Sequence, residues 1–212
     1  MNRKIKILII VVVLIIIGVI IIRGFINNNK KVIVCIDAGH GGTDVGATNE
    51  NRYEKNDTLK VAKLVRKYLE QENIKVIMTR TDDITCTLQE RCKIANKKKA
   101  NLFVSIHRNS ADTGSGIETW INSKQNEEDI ELATNIMNYI ENTKIQNDRG
   151  IKYGTIKGEN TDYYVLNNTK MPSCLLELGF ISNNEDNKLF DENIESYAKA
   201  IAKGIIETIK NK

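Results

Sequence analysis

The chain has 212 residues, a length that suits one ordinary domain. Its net charge of +4 is modest, and part of it lies close to the N-terminus, so charge gives no support to nucleic-acid binding. The four cysteines exclude a C-x-x-C zinc site, because that spacing is missing. Cys35 and Cys174 lie inside apolar strand-like runs, which argues against a disulfide framework, whereas Cys86 and Cys92 could pair.

The first predicted element is a transmembrane anchor over residues 7–22, which Lys6 and Arg23 bracket. As a helix the run reaches roughly 24 Å, and snorkelling of the two flanking cations extends its reach towards a bilayer core of about 30 Å. No A-x-A-like site follows it, so an uncleaved anchor is favoured over a signal peptide, whose cleavage would give a secreted protein. The basic segment 1–6 is expected in the cytoplasm, and the chain beyond the polar linker 23–30 outside the membrane.

Beyond the linker, apolar runs of strand length alternate with segments of helical periodicity. Strands are predicted at 31–36, 74–79, 102–106, 116–121, 162–166 and 173–178. Helices are predicted at 57–72, 87–99 with Thr87 as a cap, 127–143 and 194–209. This alternation predicts a single α/β domain over 31–212, with a mostly parallel or mixed central sheet flanked by helices.

The chain has only two histidines, and each follows a strand of the buried type. His40 lies in the segment DAGHGG after KVIVCI, His107 follows LFVSI, and the strand SCLLE delivers Glu177. Functional groups gather beyond the carboxyl ends of such strands, so we expect the three side chains at one edge of the sheet. A set of two histidines and a carboxylate is typical of hydrolytic Zn²⁺ sites. Taken singly, each histidine could instead be structural, and Glu177 could form a buried salt bridge.

Glu54 is a second candidate carboxylate, because it lies between the glycine-rich segment around His40 and the helix predicted from Asp57. It could fold back over the strand end, or it could be an ordinary acidic residue at a helix N-terminus. A zinc hydrolase needs both a carboxylate ligand and a base. Spacing alone does not decide how Glu54 and Glu177 divide these two roles.

Four blocks in a fixed order resemble the catalytic domain of the zinc-dependent N-acetylmuramoyl-L-alanine amidases, the Amidase_3 type. The blocks are IDAGHGGTDVGA, then Glu54-Lys55, then SIHRNS, then LLELGFISN, with weaker similarity in MTRTDD, LQERCKIAN and residues 148–152. Together they span nearly all of 31–212. One position departs from the pattern, because Arg108 stands where the family usually has a small residue before Asn109. Its side chain could alter substrate contacts or simply point outward.

The resemblance implies a site and a reaction. His40, Glu54 and His107 would coordinate Zn²⁺, and Glu177 would be the catalytic acid/base. The reaction would be hydrolysis of the amide between N-acetylmuramic acid and L-alanine in peptidoglycan, so the partner is a glycan strand with its stem peptide. A different zinc peptidoglycan hydrolase of the carboxypeptidase kind, or a wall-binding module that has lost activity, is the alternative.

The combination of a short anchor and a bare catalytic domain is similar to that of sporulation amidases, which help to form muramic-δ-lactam in the spore cortex. By this analogy the catalytic domain would lie on the cell-wall side of the membrane or in the forespore intermembrane space. An activating protein partner is a further expectation, and no nucleic-acid partner is expected.

Overall fold

The computed structural model describes residues 32–155 and 161–211, together with residues 2, 5, 9, 10, 12, 13 and 15–18. The chain divides into two compact units, Met1–Lys31 and Val32–Lys212. In the first unit the described residues from 5 onward are helical, and their isoleucine and valine side chains are exposed. Within the described part of the chain, no helix has the length and apolar character needed to span a bilayer. The predicted linker and much of the predicted anchor lie outside the described residues.

The second unit contains eight described strands and five described helices. The strands are β1 (Ile33–Ala38), β2 (Thr48–Asn49), β3 (Arg52–Tyr53), β4 (Lys75–Met78), β5 (Leu102–Asn109), β6 (Ile117–Ile121), β7 (Asp148–Tyr153) and β8 (Ser173–Phe180). The helices are α1 (Glu54–Gln71), α2 (Leu88–Lys97), α3 (Glu127–Glu141), α4 (Tyr164–Asn168) and α5 (Asn184–Lys210).

Six strands form one mixed sheet in the order β4-β1-β5-β8-β6-β7, while β2 and β3 form a small antiparallel hairpin. Strands β4, β1, β5 and β8 run parallel, and β6 runs antiparallel to β8. The predicted α/β domain with a mixed sheet flanked by helices is therefore confirmed. The four parallel strands direct their carboxyl ends to one edge, where the predicted site residues lie.

Two apolar clusters cover the two faces of the sheet, because alternate residues of a strand point to opposite faces. Val34 and Val104 pack in the larger cluster with residues of α1, α3 and α5. Cys35 and Phe103 pack in the smaller cluster with residues of α2 and α4. All four cysteines of the chain are free, so Cys86 does not pair with a neighbouring thiol.

The predicted strand at 162–166 is wrong, because residues from Tyr164 onward form the short helix α4. The segment lies on a face of the sheet, where Val165 and Leu166 are buried in the smaller cluster. Its backbone bonds close locally, as in the 2.9 Å bond from the Leu166 N–H to the Tyr163 carbonyl. The strand-like composition of the segment reflects burial rather than pairing.

The last helix begins at Asn184, ten residues before the predicted start at Ile194. The side chain of Asn183 accepts hydrogen bonds from the N–H groups of Glu185 and Asp186, which is typical N-capping. The first turns of this helix are polar, so apolar periodicity does not reveal them. The predicted cap of α2 is confirmed, because Thr87 forms a reciprocal capping box with Glu90.

Helices α3 and α5 pack closely at Gly204, where an added Cβ would overlap the backbone of Ile136. In an open helix, Gly→Ala stabilises by about 1 kcal/mol through helix propensity. Here we expect Gly204→Ala to lower the free energy of unfolding by about 1–3 kcal/mol, because a backbone cannot give way as a flexible side chain can.

Chemical denaturation of the full-length chain measures this change. Lys203→Ala, at an exposed neighbouring position of α5, is the control and should change stability by no more than about 0.5 kcal/mol. A Gly204→Ala protein as stable as the wild type would contradict the close packing of these helices.

Candidate active site

The four residues singled out in the sequence meet at the carboxyl edge of the parallel strands. His40 follows β1, and His107 lies in β5 directly opposite Glu177 of β8 in the strand register. Glu54 is the first residue of α1, which begins where the β2–β3 hairpin ends. The predicted convergence at one edge of the sheet is therefore observed.

The carboxylate of Glu54 lies between the two imidazoles. Its Oε1 is 2.9 Å from His107 Nδ1, and its Oε2 is 3.1 Å from His40 Nε2. The two rings meet edge to face with centroids 4.8 Å apart. One potential ligand atom from each of these three residues lies within 4.8 Å of the others, so the arrangement is a candidate metal centre.

Backbone amides hold the buried Glu54 carboxylate in place. The Ala47 N–H donates to Oε2 at 2.9 Å, and the Arg108 N–H donates to Oε1 at 3.0 Å. Burial alone would raise the pKa of Glu54, but its hydrogen bonds with His107 and His40 outweigh burial and hold that pKa well below its usual range. The site therefore keeps Glu54 ionised, as a metal ligand must be.

Asp44 orients the imidazole of His40 from the solvent side. Its Oδ2 lies 2.9 Å from His40 Nδ1, and its Oδ1 accepts the Gly46 N–H at 3.1 Å. Burial lowers the pKa of His40, but the carboxylates of Glu54 and Asp44 together raise it. Fixing one ring nitrogen leaves the other free to face a cation. The sequence analysis missed Asp44, although a carboxylate four residues after a candidate ligand was a usable signal.

Two buried arginines fasten the loop that carries His40. Arg80 donates to the carbonyls of Ala38 (2.9 Å) and Gly39 (2.8 Å), and Arg91 donates to those of Ala38 (2.6 Å) and His40 (2.7 Å). His40 itself has a left-handed backbone with φ of 60°. The carbonyl bonds offset the cost of that conformation. Neither arginine was predicted to have a role, because its partners in this loop lie at least 40 residues away along the chain.

A buried carboxylate anchors the second of these arginines. Asp37, at 0% exposure, accepts from Arg91 at 2.7 Å, from Thr79 at 2.6 Å and from Ser105 at 2.6 Å. Burial raises the pKa of Asp37, but the charge of Arg91 and these bonds lower it further than burial raises it. The loop is thus tied to the core of the sheet.

Glu177 differs from Glu54 in its surroundings. It is 7% exposed, and within the described chain its Oε2 has no hydrogen-bond partner. Burial, followed by the negative charges of Glu54 and Glu118, raises the pKa of Glu177 well above its usual value. A buried salt bridge, the alternative for this residue, is not observed among its described contacts. An unsatisfied buried carboxyl in a cleft is a candidate for proton transfer.

Glu118, which the sequence analysis also missed, faces Glu177 across the antiparallel β6–β8 pair. It accepts bonds from Asn109 (2.8 Å), Trp120 (3.0 Å) and Arg149 (2.7 Å). The negative charge of Glu118 adds to the effect of burial in raising the pKa of Glu177.

The four residues line an open cleft of about 570 Å³. Its floor includes the two histidines, Glu54 and Glu177. Its walls include Leu88 of α2, Tyr163, and Tyr164 of α4, on the face of the sheet that the smaller apolar cluster covers. The walls are largely apolar, whereas the floor carries the ionisable groups. A site of this kind suits hydrolysis of a substrate that has a bulky uncharged part.

Comparison with known proteins identifies the family. Residues 34–211 match the family described as N-acetylmuramoyl-L-alanine amidase. The chain belongs to the N-acetylmuramoyl-L-alanine amidases. The endolysin of Bacillus phage SPP1 is 35% identical over 189 residues, which cover 85% of this chain and 67% of the endolysin.

Solved amidase structures share the fold. The catalytic domain of CwlV, an amidase from Bacillus (Paenibacillus) polymyxa var. colistinus, is 38% identical with a TM-score of 0.76 and covers 85% of this chain and 99% of that one. The CwlD amidase from Clostridioides difficile, solved in complex with the GerS lipoprotein, is 30% identical with a TM-score of 0.78 and covers 86% and 100%. The family resemblance seen in the sequence is therefore confirmed.

Gly39 lies so close to His107 that an added Cβ would overlap the imidazole ring. If this cluster holds Zn²⁺, as the family resemblance implies, we expect Gly39→Ala to turn the ring away from Glu54 and to weaken Zn²⁺ binding about 10- to 100-fold, the range for disturbing the orientation of a metal ligand. Chelator competition measures the affinity, with Ser110→Ala, another change at the cleft, as the control. Unchanged Zn²⁺ affinity in a folded Gly39→Ala protein would show that the ring position does not matter.

Proposed function

We propose that this amidase is zinc-dependent, with His40, Glu54 and His107 as the metal ligands and Glu177 as the catalytic acid/base. The observation that carries the proposal is the meeting of two imidazoles and one ionised carboxylate beside a second, unsatisfied carboxyl. The reaction is that of the family, hydrolysis of the amide between N-acetylmuramic acid and L-alanine in peptidoglycan.

The donor set fits Zn²⁺. Two imidazole nitrogens and one carboxylate are the protein ligands of many hydrolytic zinc sites, which keep a further position open. The bond from Asp44 to His40 and the backbone bonds to Glu54 supply the outer contacts that such ligands need. Three protein donors and an open cleft therefore suit a catalytic rather than a structural metal.

The residues divide the chemistry between them. When bound, Zn²⁺ would supply Lewis acidity that polarises the scissile carbonyl and activates water, and its charge would favour an ionised neighbouring carboxyl. Glu177 accepts the proton of the attacking water and passes it to the leaving nitrogen of the amide. Its burial next to Glu118 favours the protonated form that the second transfer needs.

The observations favour a zinc amidase over the two alternatives, a carboxypeptidase and an inactive wall-binding module. Family membership favours an amidase over a carboxypeptidase, and the intact set of ligands and base favours an enzyme over an inactive wall-binding module. A role in the spore cortex stays a prediction, because a phage endolysin and the CwlD amidase are both among the relatives. CwlD was solved with a lipoprotein partner, which supports the proposal of a protein partner here.

Conservative changes at the two glutamates separate their roles. We expect Glu177→Gln to keep about one Zn²⁺ per chain but to lose activity on purified peptidoglycan by at least ~100-fold, the usual contribution of a general base. Glu54→Gln should lower both zinc content and activity, because it removes a ligand charge. Metal analysis and mass spectrometry of the products measure both properties.

The wild-type control should release the L-alanine amine and leave the glycan intact, and His107→Ala should lose zinc. Zinc loss in Glu177→Gln with zinc kept in Glu54→Gln would mean that the roles are reversed. A fully active protein without metal would refute zinc dependence.

A membrane anchor over residues 7–22 is also part of this proposal. The run is bracketed by Lys6 and Arg23, and its described isoleucines and valines lie on exposed helical positions. An apolar run with flanking cations in the sequence is typical of a bilayer anchor. The catalytic unit would then act on the cell-wall side of the membrane.

We expect the full-length protein to fractionate with membranes and to keep Met1 or Asn2 as its N-terminus. Deletion of residues 1–30 should move it to the soluble fraction, since the apolar run is then gone. N-terminal sequencing of the mature protein decides the matter, because a terminus near Asn27 or Lys30 would establish cleavage and secretion.

A further inference from the structure

The side chain of Arg108 is almost completely buried, although its neighbour His107 lines the cleft. Its exposed fraction is 1%, so it neither points outward nor offers its guanidinium to a substrate. One guanidinium nitrogen donates to Asp57 Oδ2 at 2.7 Å, and another donates to Asn187 Oδ1 at 2.8 Å. The guanidinium lies over the ring of Phe190, 4.2 Å from the centroid. None of these three side-chain contacts is with His40, Glu54, His107 or Glu177.

A second arginine extends this contact into a small charge cluster, which is buried at Asp57 and exposed at Asp191. Arg52, in the hairpin strand before α1, donates to the same Asp57 oxygen at 2.7 Å. It also forms two bonds with Asp191 of α5, at 2.9 and 2.8 Å. Two guanidinium groups thus meet two carboxylates, which balances the charge that burial would otherwise penalise.

Arg108 also contacts the candidate metal ligand Glu54 directly, through its backbone. The backbone N–H of Arg108 donates to Glu54 Oε1 at 3.0 Å, while its side chain binds Asp57, three residues further along α1. Residues three apart lie on one face of a helix. Arg108 therefore contacts the first turn of α1 at two points, Glu54 and Asp57.

We propose that Arg108 is a positioning residue, which sets the place of the Glu54 carboxylate between His40 and His107 through its ion pair with Asp57. The inference deepens the proposed function, on which it rests, because it assumes that Glu54 binds the metal. Rotation of the first turn of α1 would move this carboxylate away from the imidazoles. Asn187 and Phe190, both in α5, hold the guanidinium from the other side and make α5 the support for this arrangement.

The inference predicts a specific pattern for Arg108→Met, which keeps the length and apolar stem of the side chain. The variant should bind Zn²⁺ at least about tenfold more weakly, the lower end for groups that orient metal ligands. At saturating Zn²⁺ its kcat should fall while its KM for peptidoglycan fragments stays the same, because the side chain is only 1% exposed and its guanidinium is bonded to Asp57 and Asn187. Arg108→Lys should recover part of the affinity, since an ammonium can pair with Asp57 but cannot also keep Asn187.

Arg66→Met is the matched control. It removes an arginine from α1 itself, where Arg66 pairs with Glu70 in an exposed ion pair at 2.8 Å, far from the metal ligands. Its Zn²⁺ affinity should equal that of the wild type. The measurements use the full-length chain, chelator competition for affinity and thermal unfolding to establish that each variant is folded.

The outcomes are distinct. Folded Arg108→Met protein with wild-type Zn²⁺ affinity and only a lower Tm would overturn the inference and leave a purely stabilising role. If Arg108→Met does not fold, Asp57→Asn takes its place, because it keeps the shape of the acceptor and removes its charge. Asp57→Asn must then weaken Zn²⁺ binding, and a wild-type affinity in this variant would also overturn the inference. Failure of the wild-type chain to bind Zn²⁺ would instead refute the proposed function.

Discussion

The catalytic edge of this protein depends on one buried carboxylate. Glu54 contacts both imidazoles, and its charge is tolerated only because two imidazoles and two backbone N–H groups surround it. These four partners come from three parts of the chain, because His107 and Arg108 are neighbours in β5. The loop after β1, the hairpin before α1 and the end of β5 must therefore all be in place before the carboxylate can be buried without loss of stability. Binding of a cation at this cluster would be coupled to folding of the edge for the same reason.

Buried cations supply much of the order around that carboxylate. Arg80 and Arg91 hold the loop of His40 by its carbonyl groups, and Arg108 holds the first turn of α1. A guanidinium group has donors in a rigid planar fork, so one side chain can bind several acceptors at fixed angles. The site is thus kept rigid by charged groups that are themselves almost completely buried.

The sequence was sufficient for the positions that follow buried strands. His40, His107 and Glu177 could be placed at one edge because apolar strand runs precede or contain them, and strand direction then determines where they meet. Glu54 needed the family resemblance, since its spacing fits an ordinary helix start equally well. The partners of Arg108 could not be predicted, because Asp57 and Asn187 lie 51 and 79 residues away along the chain. The start of α5 and the helix α4 were misjudged because polar capping and burial on a sheet face leave no apolar period.

The reversed direction of β6 has a consequence for the rim of the cleft. Because β6 enters the sheet at the edge where β5 leaves it, residues 110–116 pass directly over the end of β8 without a crossover helix. Hydrogen bonds from the Ala111 N–H to the Ser182 hydroxyl and from the Asn183 amide to the Gly114 carbonyl fasten this span to the turn after β8. A longer or shorter span would reshape the entrance while leaving the strand order and the ionisable floor unchanged. Loop length at this one crossing is therefore a simple route by which amidases of this architecture could diverge in the wall material they accept.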